Sequence, residues 1–484
     1  MASETKKHKA GAIPGHVVPP WFEDAKLGIF VHWGVFSVPA FAPVLPLGES
    51  MPDLLRTAPR ELGARLPYAE WYSNAMRIPD SPTARHHAET YGDAPYEDFR
   101  VPFEEGLASW DPDAWADAFA ATGAGYVVLV TKHHDGYLLW PSAIRNPHRP
   151  GWHAPRDLVG ELAEAVRARG LRFGVYYSTG LDWTFEDRPI REPLDLFAAI
   201  PRDPTYAAYV DAHLRELVDR YRPSVVWADI GAPAGFDLRS FLTDYYTVVP
   251  DGTTNDRWQP PSRLAANETT LKALNALAAA LLPRLPARPL EPGQHPLADF
   301  RTPEYSSPDE ARRHKWETTR GMGAAFGHNA NEPDDHLIDP VDLVQGFVDV
   351  VAKNGNMLLN VGPDGTGRIT DREAVRLRAL GDFMAVYGDA LRGTRPWARA
   401  EGRTGEGVDV RYTQADGSVF AVLQAAPTPG SVVTLPDLAP LVGRPVELLG
   451  HGALDASVGA TGALRVEWPA GVADLPSHAL RVGP

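Results

Sequence analysis

Two acidic residues, Asp229 and Glu304, lie in sequence settings that suit catalytic carboxylates. Asp229 ends the apolar run VVWAD (225–229), and the following IGAP begins no helix that the Asp side chain could cap. Glu304 lies among aromatic residues in ADFRTPEY (298–305). Hydrolysis of a glycoside needs such a pair, one carboxylate as nucleophile and one as proton donor. The alternatives are a structural Asp after a strand and an exposed loop charge at Glu304.

Five segments, including the one that contains Asp229, pass from apolar residues into polar, aromatic or acidic ones. In a barrel of parallel strands, catalytic groups stand where the strands run into loops at the carboxyl end. We therefore expect these segments to meet in one pocket of sugar size. They are GIFVHWG (28–34), GYVVLVTKHHDG (125–136), RFGVYYSTGLDW (172–183), PSVVWADIG (223–231) and NMLLNVGPDG (356–365).

The adjacent histidines His133 and His134 are the residues that most invite a metal hypothesis. Consecutive residues of a strand point to opposite faces, so a shared metal would require the strand to bend, and hydrogen bonding is favoured. The sequence contains no HExxH motif and no Asp-rich calcium loop. We predict no metal and no cofactor.

The elements that must position these residues alternate between strand and helix. Strand-like runs at 28–31, 126–131, 172–177, 224–228 and 357–361 alternate with helical patterns at 112–122, 157–169, 205–221, 341–353 and 371–387, the last capped by Asp371. This alternation predicts an α/β fold, a (β/α)8-like TIM barrel catalytic domain over residues 16–397. Residues 35–95, rich in proline and aromatics, are predicted to be a long loop after the first strand.

The two ends of the chain and one internal segment differ from the barrel pattern. From about residue 402 the side chains alternate with period two, and an Asp416-Gly417 turn predicts a hairpin, so residues 398–484 are expected to form an antiparallel β-sandwich domain. We expect residues 1–15 to be poorly ordered. The insert at about 260–296 joins an Ala/Leu helix to several prolines and cannot be a barrel strand. It is predicted to be a solvated surface excursion or a contact in a homo-oligomer.

Composition excludes several classes of protein. The net charge of −15 and a pI of about 5.5 argue against nucleic-acid binding, because phosphate contacts need a basic face. There is no cysteine, so disulfides and thiolate chemistry are excluded. No run of about 18 apolar residues predicts a membrane span, and the N-terminus lacks the apolar core of a signal peptide. We expect a cytoplasmic protein whose partner is a small molecule.

At this level of detail the chain resembles a known family. The motifs occur in order from about Trp21 to Trp397: FVHWG, YAEWY, TKHHDG, GVYYS with GLDW, VWAD, NDRW, TPEY, KWE with TRG, and LLNVGP. Together they are similar to the α-L-fucosidases of glycoside hydrolase family 29. The β-sandwich expected at the C-terminus agrees with that architecture.

The resemblance implies a retaining exo-α-L-fucosidase that releases terminal fucose from oligosaccharides or glycoconjugates. By position in the motifs, Asp229 matches the nucleophile and Glu304 the acid/base. Phe326 matches the aromatic residue that faces the sugar's methyl group. One tyrosine of the motif GVYYS matches a position that holds the fucose ring; it is either Tyr176 or Tyr177, with Tyr177 preferred. The residues that match positions holding the fucose ring are His32, Glu70, Trp71, His133, His134, Tyr177, Trp227 and Arg257.

Two other functions compete with this one, and one segment departs from the family pattern. The competitors are a fucose-binding protein that has lost its chemistry and a retaining hydrolase of a related sugar such as an α-L-galactoside. The presence of both Asp229 and Glu304 argues against the first, and Phe326 against the second. The departure is the insert at 260–296, which we expect to alter the aglycone side and not the fucose pocket.

Overall fold

The computed structural model describes residue 13 and residues 15–262, 267–285 and 295–484. Its central sheet contains seven parallel strands in the spatial order β5-β4-β3-β2-β1-β7-β6. Every residue of β1, β2, β4 and β7 is buried, as expected where helices cover a parallel sheet. The strands are β1 (Leu27–Val31), β2 (Tyr126–Lys132), β3 (Arg172–Ser178), β4 (Val225–Asp229), β5 (Thr253–Thr254), β6 (Trp316–Arg320) and β7 (Gly355–Val361).

Residues 299–305 close the gap between β5 and β6. The Asp299 N–H donates to Thr254 O at 3.0 Å on one side. On the other side, the Glu317 N–H donates to Arg301 O at 2.8 Å, and the Tyr305 N–H donates to a carbonyl of β6 at 3.0 Å. The segment takes the place of an eighth strand, although it is irregular, so the sheet forms a closed barrel. The predicted (β/α)8-like fold class is confirmed.

The helices follow the strands in the order that a barrel requires. α8 joins β2 to β3, α10 joins β3 to β4, α11 joins β4 to β5, and α13 joins β6 to β7. The helices before β2 are α1 (Pro20–Ala25), α2 (Met51–Thr57), α3 (Leu62–Arg65), α4 (Tyr72–Ala75), α5 (Pro82–Tyr91), α6 (Arg100–Gly106) and α7 (Pro112–Ala121). Those after it are α8 (Leu158–Ala168), α9 (Asp195–Ala198), α10 (Pro204–Tyr221), α11 (Leu238–Val248), α12 (Glu268–Leu281), α13 (Pro340–Ala352) and α14 (Asp371–Tyr387).

The structure differs from the sequence predictions in three places. Residues 35–95 are not one long loop, because they contain α2 to α5 and short 3-10 turns. The cap of α14 is Thr370, not Asp371, and the Glu373 side chain bonds back to Thr370 in a capping box. The strands β5 and β6 were not predicted. β5 is two residues long, and β6 (WETTR) is polar, with its buried Glu317 accepting hydrogen bonds from Tyr126 and Trp227.

Two antiparallel sheets follow the barrel, as the predicted β-sandwich requires. The strands of the larger sheet lie in the order β13-β12-β16-β10-β9-β8, and those of the smaller in the order β11-β15-β14. Asp416 and Gly417, both at positive φ, form the predicted turn between β9 and β10. The domain limits at 397 and 398 stay predictions. The strands are β8 (Arg395–Arg403), β9 (Asp409–Ala415), β10 (Ser418–Leu423), β11 (Val432–Leu435), β12 (Val446–Leu448), β13 (Gly452–Leu454), β14 (Ala456–Val458), β15 (Leu464–Glu467) and β16 (His478–Val482).

The predicted N-terminal and insert segments are described only in part. Residues 1–12 and 14, and 263–266 and 286–294 of the insert, lie outside the described residues, so the prediction of disorder for residues 1–15 is not addressed. The insert's helix is α12, which begins after the cap Asn267. None of the helices in the described part of the chain is both long and apolar enough to cross a membrane.

Candidate active site

A cavity of about 660 Å³ opens at the carboxyl end of the barrel strands. This volume lies within the range of small-molecule sites in proteins. One end of the cavity is polar and aromatic, and it brings together ten of the eleven site residues that the sequence predicted. They are His32, Glu70, Trp71, His133, His134, Trp227, Asp229, Arg257, Glu304 and Phe326.

Arg257 joins the two predicted catalytic carboxylates. Its Nη1 donates to Asp229 Oδ1 at 3.0 Å, and its Nη2 lies 2.6 Å from Glu304 Oε1. The guanidinium is stacked 4.6 Å from the ring of Trp227, and its Nε donates to Thr302 Oγ1 at 3.0 Å. Burial opposes the charge, but the carboxylates of Glu304 and Asp229 outweigh it and raise the pKa of Arg257. The pair that the sequence could not connect therefore shares one cation.

The backbone is strained directly after each of these carboxylates. Ile230 follows Asp229 with φ of 58°, and Tyr305 follows Glu304 with φ of 48°. A β-branched or bulky residue in the left-handed region is unusual and is maintained only by the surrounding structure. Gly231, at φ of 94°, then lets the chain turn under Gln259 O, which a Cβ would meet at 2.4 Å. This turn ends β4 with the carboxylate of Asp229 held in the cavity.

Hydrogen bonds fix the tautomers of two cavity histidines. His32 Nδ1 lies 2.5 Å from Asn360 Oδ1, which can only accept because the Asn360 Nδ2 donates to Phe326 O. His134 Nδ1 lies 2.6 Å from Ser178 Oγ, whose proton is given to Leu181 O. In both rings Nδ1 must donate, so Nε2 of each neutral ring has a lone pair that can accept a hydrogen bond from a ligand hydroxyl.

Burial holds these histidines neutral. It lowers the pKa of His32 to about 4 and that of His134 to about 3. Burial, with His134 and His32 nearby, also lowers the pKa of His133 well below its ordinary value. His133 Nδ1 is buried and has no hydrogen-bond partner within the described chain. It therefore offers one more unused polar atom beside the cavity.

Glu70 is the third carboxyl group at this end of the cavity. Its Oε2 accepts from the Gly327 N–H at 2.8 Å, and burial raises the pKa of Glu70 to about 7. Phe326, the residue before Gly327, packs its ring against His32, Tyr68 and Tyr305 at centroid distances of 5.1, 5.7 and 5.5 Å. Glu70 thus orders the backbone beside Phe326.

The structure corrects the choice between the two adjacent tyrosines. Tyr176 lines the cavity, and its hydroxyl donates to Asp229 Oδ2 at 2.8 Å. Tyr177, the residue preferred from the sequence, lies on the opposite face of β3, where its hydroxyl is 2.9 Å from Nδ1 of His213 on α10. Neighbouring strand residues point to opposite faces, so only one of the two can reach the site.

We expect Tyr176→Phe to lower kcat/KM for hydrolysis of an aryl glycoside about 10- to 100-fold. This is the effect expected from losing one hydrogen bond to a charged carboxylate, here that of Asp229. Tyr177→Phe is the matched control because it removes the same atom from the other face. It should cost about 1 kcal/mol of stability through His213 and leave kcat/KM nearly unchanged. Steady-state kinetics and urea unfolding of both variants check this, and equal kinetic losses would contradict the placement.

The neutral state of His32 predicts a pH-dependent contribution to stability. Its pKa in the folded protein is about 4, below the ordinary 6.5, so only the unfolded chain gains a proton between these values. The contribution is complete above pH 6.5 and is lost as the pH falls toward 4. From pH 6.5 to 5 the loss is roughly 2 kcal/mol.

Urea unfolding of the protein and of His32→Gln at pH 6.5 and at pH 5 measures this contribution. The difference in unfolding free energy between the two proteins should shrink by about 2 kcal/mol at pH 5. Taking the difference cancels the titration of Glu70 and other buried acids, which act in the opposite direction. A difference that is the same at both pH values would mean that His32 is not held neutral.

Two residues that the sequence left without a role also shape the site. Tyr68 lines the cavity, and it belongs to the motif YAEWY, from which only Glu70 and Trp71 were assigned. Asn360, in LLNVGP, orients His32 without lining the cavity itself. Membership in those two motifs was the only signal for either residue.

The positions of His133 and His134 bear on the hypothesis that these two histidines bind a metal. His133 and His134 lie just past the end of β2, whose pairing with β3 is irregular between Val130 and Lys132. Their ring centroids are 4.0 Å apart, and both rings line the cavity. No group of three His, Cys, Asp or Glu residues that could hold a metal occurs among the residues described.

Two carboxylates beside an arginine at the carboxyl end of a parallel barrel are a site of the kind that glycoside hydrolases use. Comparison with known proteins identifies the family. The family model described as "Alpha-L-fucosidase" matches residues 2–389. The chain belongs to the α-L-fucosidase family.

Relatives of known name and structure agree with this assignment. The plasma α-L-fucosidase of Homo sapiens is 31% identical, over 90% of this chain and 82% of its own length. The α-L-fucosidase of Dictyostelium discoideum is 29% identical, over 86% of this chain and 80% of its own. The crystal structure of Thermotoga maritima α-fucosidase in complex with fucose is 38% identical with a TM-score of 0.78, covering 96% of this chain and 97% of that one.

Proposed function

We propose that this protein is a retaining exo-α-L-fucosidase that hydrolyses terminal α-L-fucosides. The observation that carries the proposal is the shared ion pair of Asp229 and Glu304 with Arg257 in a cavity lined by neutral histidines. The family relationship supports the sugar, and the geometry supports a carboxylate nucleophile at Asp229. Glu304 must leave its ion pair with Arg257 and take up a proton to act as the acid.

In the first step Asp229 attacks the anomeric carbon of the fucoside as nucleophile. The bond from that carbon to the leaving oxygen breaks, and the oxygen takes a proton from the carboxylic acid of Glu304. Tyr176 and Arg257 each donate a hydrogen bond to one oxygen of Asp229. The orientation of the carboxylate is therefore fixed before the substrate binds. The product of this step is a fucosyl ester of Asp229 and a free alcohol.

In the second step water replaces the ester. Glu304, now a carboxylate, takes a proton from the water as its oxygen attacks the anomeric carbon, and Asp229 leaves. Two inversions at one carbon give fucose with the original configuration. The step restores the protonated Glu304 and needs no cofactor.

The remaining cavity residues are assigned to the fucose ring. Nε2 of His32 and of His134 would accept hydrogen bonds from its hydroxyl groups, and His133 would supply a further polar contact. Trp227, which accepts the guanidinium of Arg257 on its ring, and Trp71 would cover apolar faces of the sugar. Phe326 would contact the methyl group, which favours fucose over an α-L-galactoside, whose extra hydroxyl would be buried without a partner.

Hydrolysis of 4-nitrophenyl α-L-fucoside, followed by ¹H NMR, tests the proposal. We expect nitrophenol release and the α anomer of fucose as the first product, before mutarotation. The α-L-galactoside should be cleaved more slowly. Release of the β anomer would contradict the retaining mechanism, and binding of fucose without any release would favour the fucose-binding alternative.

Three predictions from the sequence remain proposals. They are a cytoplasmic location, assembly into a homo-oligomer, and a separate C-terminal domain that begins at residue 398. The nitrophenyl assay does not depend on any of them.

A further inference from the structure

The cavity continues beyond the two carboxylates into a second region, which we call the apolar lobe. Most of its residues come from three excursions of the chain: α2 and the residues around α3, residues 190–200 including α9, and the insert helix α12 with the turn after it. Ile230, Gly231 and Gln259 complete it. The members used below are Leu55, Leu196, Phe197, Ile200 and Leu282. The sugar end also includes Phe30, Tyr68, Tyr176 and Thr319. Of the sixteen other lining residues that the structure describes, only Gln259 has a polar side chain, and none is charged.

The lobe is continuous with the sugar end on the side of Asp229. Ile230, the residue after the proposed nucleophile, packs with Trp71, Leu196 and Ile200 in one apolar cluster. An exo-acting enzyme holds the terminal sugar at the closed end of its pocket, so the leaving group must point toward the mouth of the barrel. The chain segments that line the lobe lie at the mouth of the barrel. The lobe therefore occupies the position expected for the leaving group.

The insert is fixed in place as a wall of this lobe. Asn275 of α12 is buried, its Oδ1 accepts from the Leu194 N–H at 3.1 Å, and its Nδ2 donates to Asp195 Oδ1 at 2.8 Å. Leu271 of the same helix packs against Ala198 of α9. One face of α12 is therefore packed, while most of the described insert residues are exposed, as expected for a surface excursion. Ala278 and Leu282 of the insert line the cavity.

We propose that the apolar lobe binds the aglycone and that the preferred substrates are α-L-fucosides of apolar alcohols. This inference rests on the proposed function. A second sugar in the lobe would lose water from its hydroxyl groups and would find few hydrogen-bond partners among the described lining side chains, which is costly. An alkyl, aryl or polycyclic alcohol would instead remove apolar surface from water, including that of Phe197, whose side chain is 40% exposed.

The test compares ethyl and n-octyl α-L-fucoside, used below the concentration at which micelles form. Both leaving groups are primary alcohols of similar acidity, so the chemical step is matched and only the apolar chain differs. We expect kcat/KM to be about tenfold or more higher for the octyl compound. It should also exceed the value for a disaccharide in which fucose is linked to galactose.

Charged variants locate the effect in the lobe. Phe197→Asp, and independently Leu55→Asp on α2, should lower kcat/KM for octyl fucoside about tenfold and lower that for ethyl fucoside far less. Leu277→Asp is the matched control, because Leu277 is an exposed residue of α12 that does not line the cavity, and it should change neither value.

Several outcomes would overturn the inference. Equal values of kcat/KM for ethyl and octyl fucoside would leave the lobe without a role in substrate binding. A higher kcat/KM for the disaccharide than for octyl fucoside would contradict the assignment of apolar alcohols as the preferred leaving groups. Failure to cleave ethyl, octyl and nitrophenyl fucosides alike would count against the fucosidase function itself, so the two failures are distinguishable.

Discussion

Asp229→Asn is expected to abolish turnover almost completely, with a fall in kcat of about 10³-fold or more. A neutral amide oxygen is too weak a nucleophile to form the glycosyl ester, whatever the leaving group. The amide can still accept a hydrogen bond from Tyr176 or Arg257, so the variant should keep its fold. Steady-state kinetics with 4-nitrophenyl α-L-fucoside, together with circular dichroism, measure both properties.

A matched control lies in the loop that Asp229 begins. Asp237 caps α11, with its Oδ1 accepting from the Ser240 N–H at 3.0 Å, and asparagine serves about as well in that position. Asp237→Asn should therefore retain normal turnover. If Asp229→Asn kept more than a few per cent of kcat, the nucleophile would be another residue.

Glu304→Ala is expected to slow substrates according to their leaving groups. An activated phenol departs without a proton, so cleavage of its fucoside should lose little in the first step, whereas a fucosyl disaccharide should lose about 10²- to 10⁴-fold. The exposed Glu310 lies in the chain segment that follows, and Glu310→Ala should leave both substrates unaffected.

Azide separates the two roles of Glu304. It is an anion that needs no deprotonation, so it can replace the water that Glu304 activates in the second step. Adding azide to Glu304→Ala should raise turnover of the activated substrate and give fucosyl azide of α configuration, because azide inverts the β-linked ester of Asp229 as water does. Equal losses on all leaving groups and no effect of azide would remove Glu304 as acid/base. The acid would then be sought at Glu70, whose pKa burial raises to about 7.

Much of the barrel and of the site could be predicted from local sequence patterns. Runs rich in Val, Ile and Tyr between helical stretches identify β1, β2, β3, β4 and β7, because a parallel strand covered on both faces needs apolar residues throughout. The motifs at the ends of those strands identify Asp229 and the cavity histidines, because side chains at strand ends project toward the mouth of a barrel. Each of these inferences depends on residues adjacent in the chain.

The tertiary structure decided what depends on distant residues. The segment 299–305 has no strand-like periodicity and is placed beside β5 and β6 by hydrogen bonds to distant residues. Glu304 could be paired with Asp229 only through Arg257. The choice of Tyr176 over Tyr177 required the orientation of β3. The apolar lobe has the same origin: α2, α9 and α12 are far apart in the chain, and only packing places their leucines around one space beside the carboxylates.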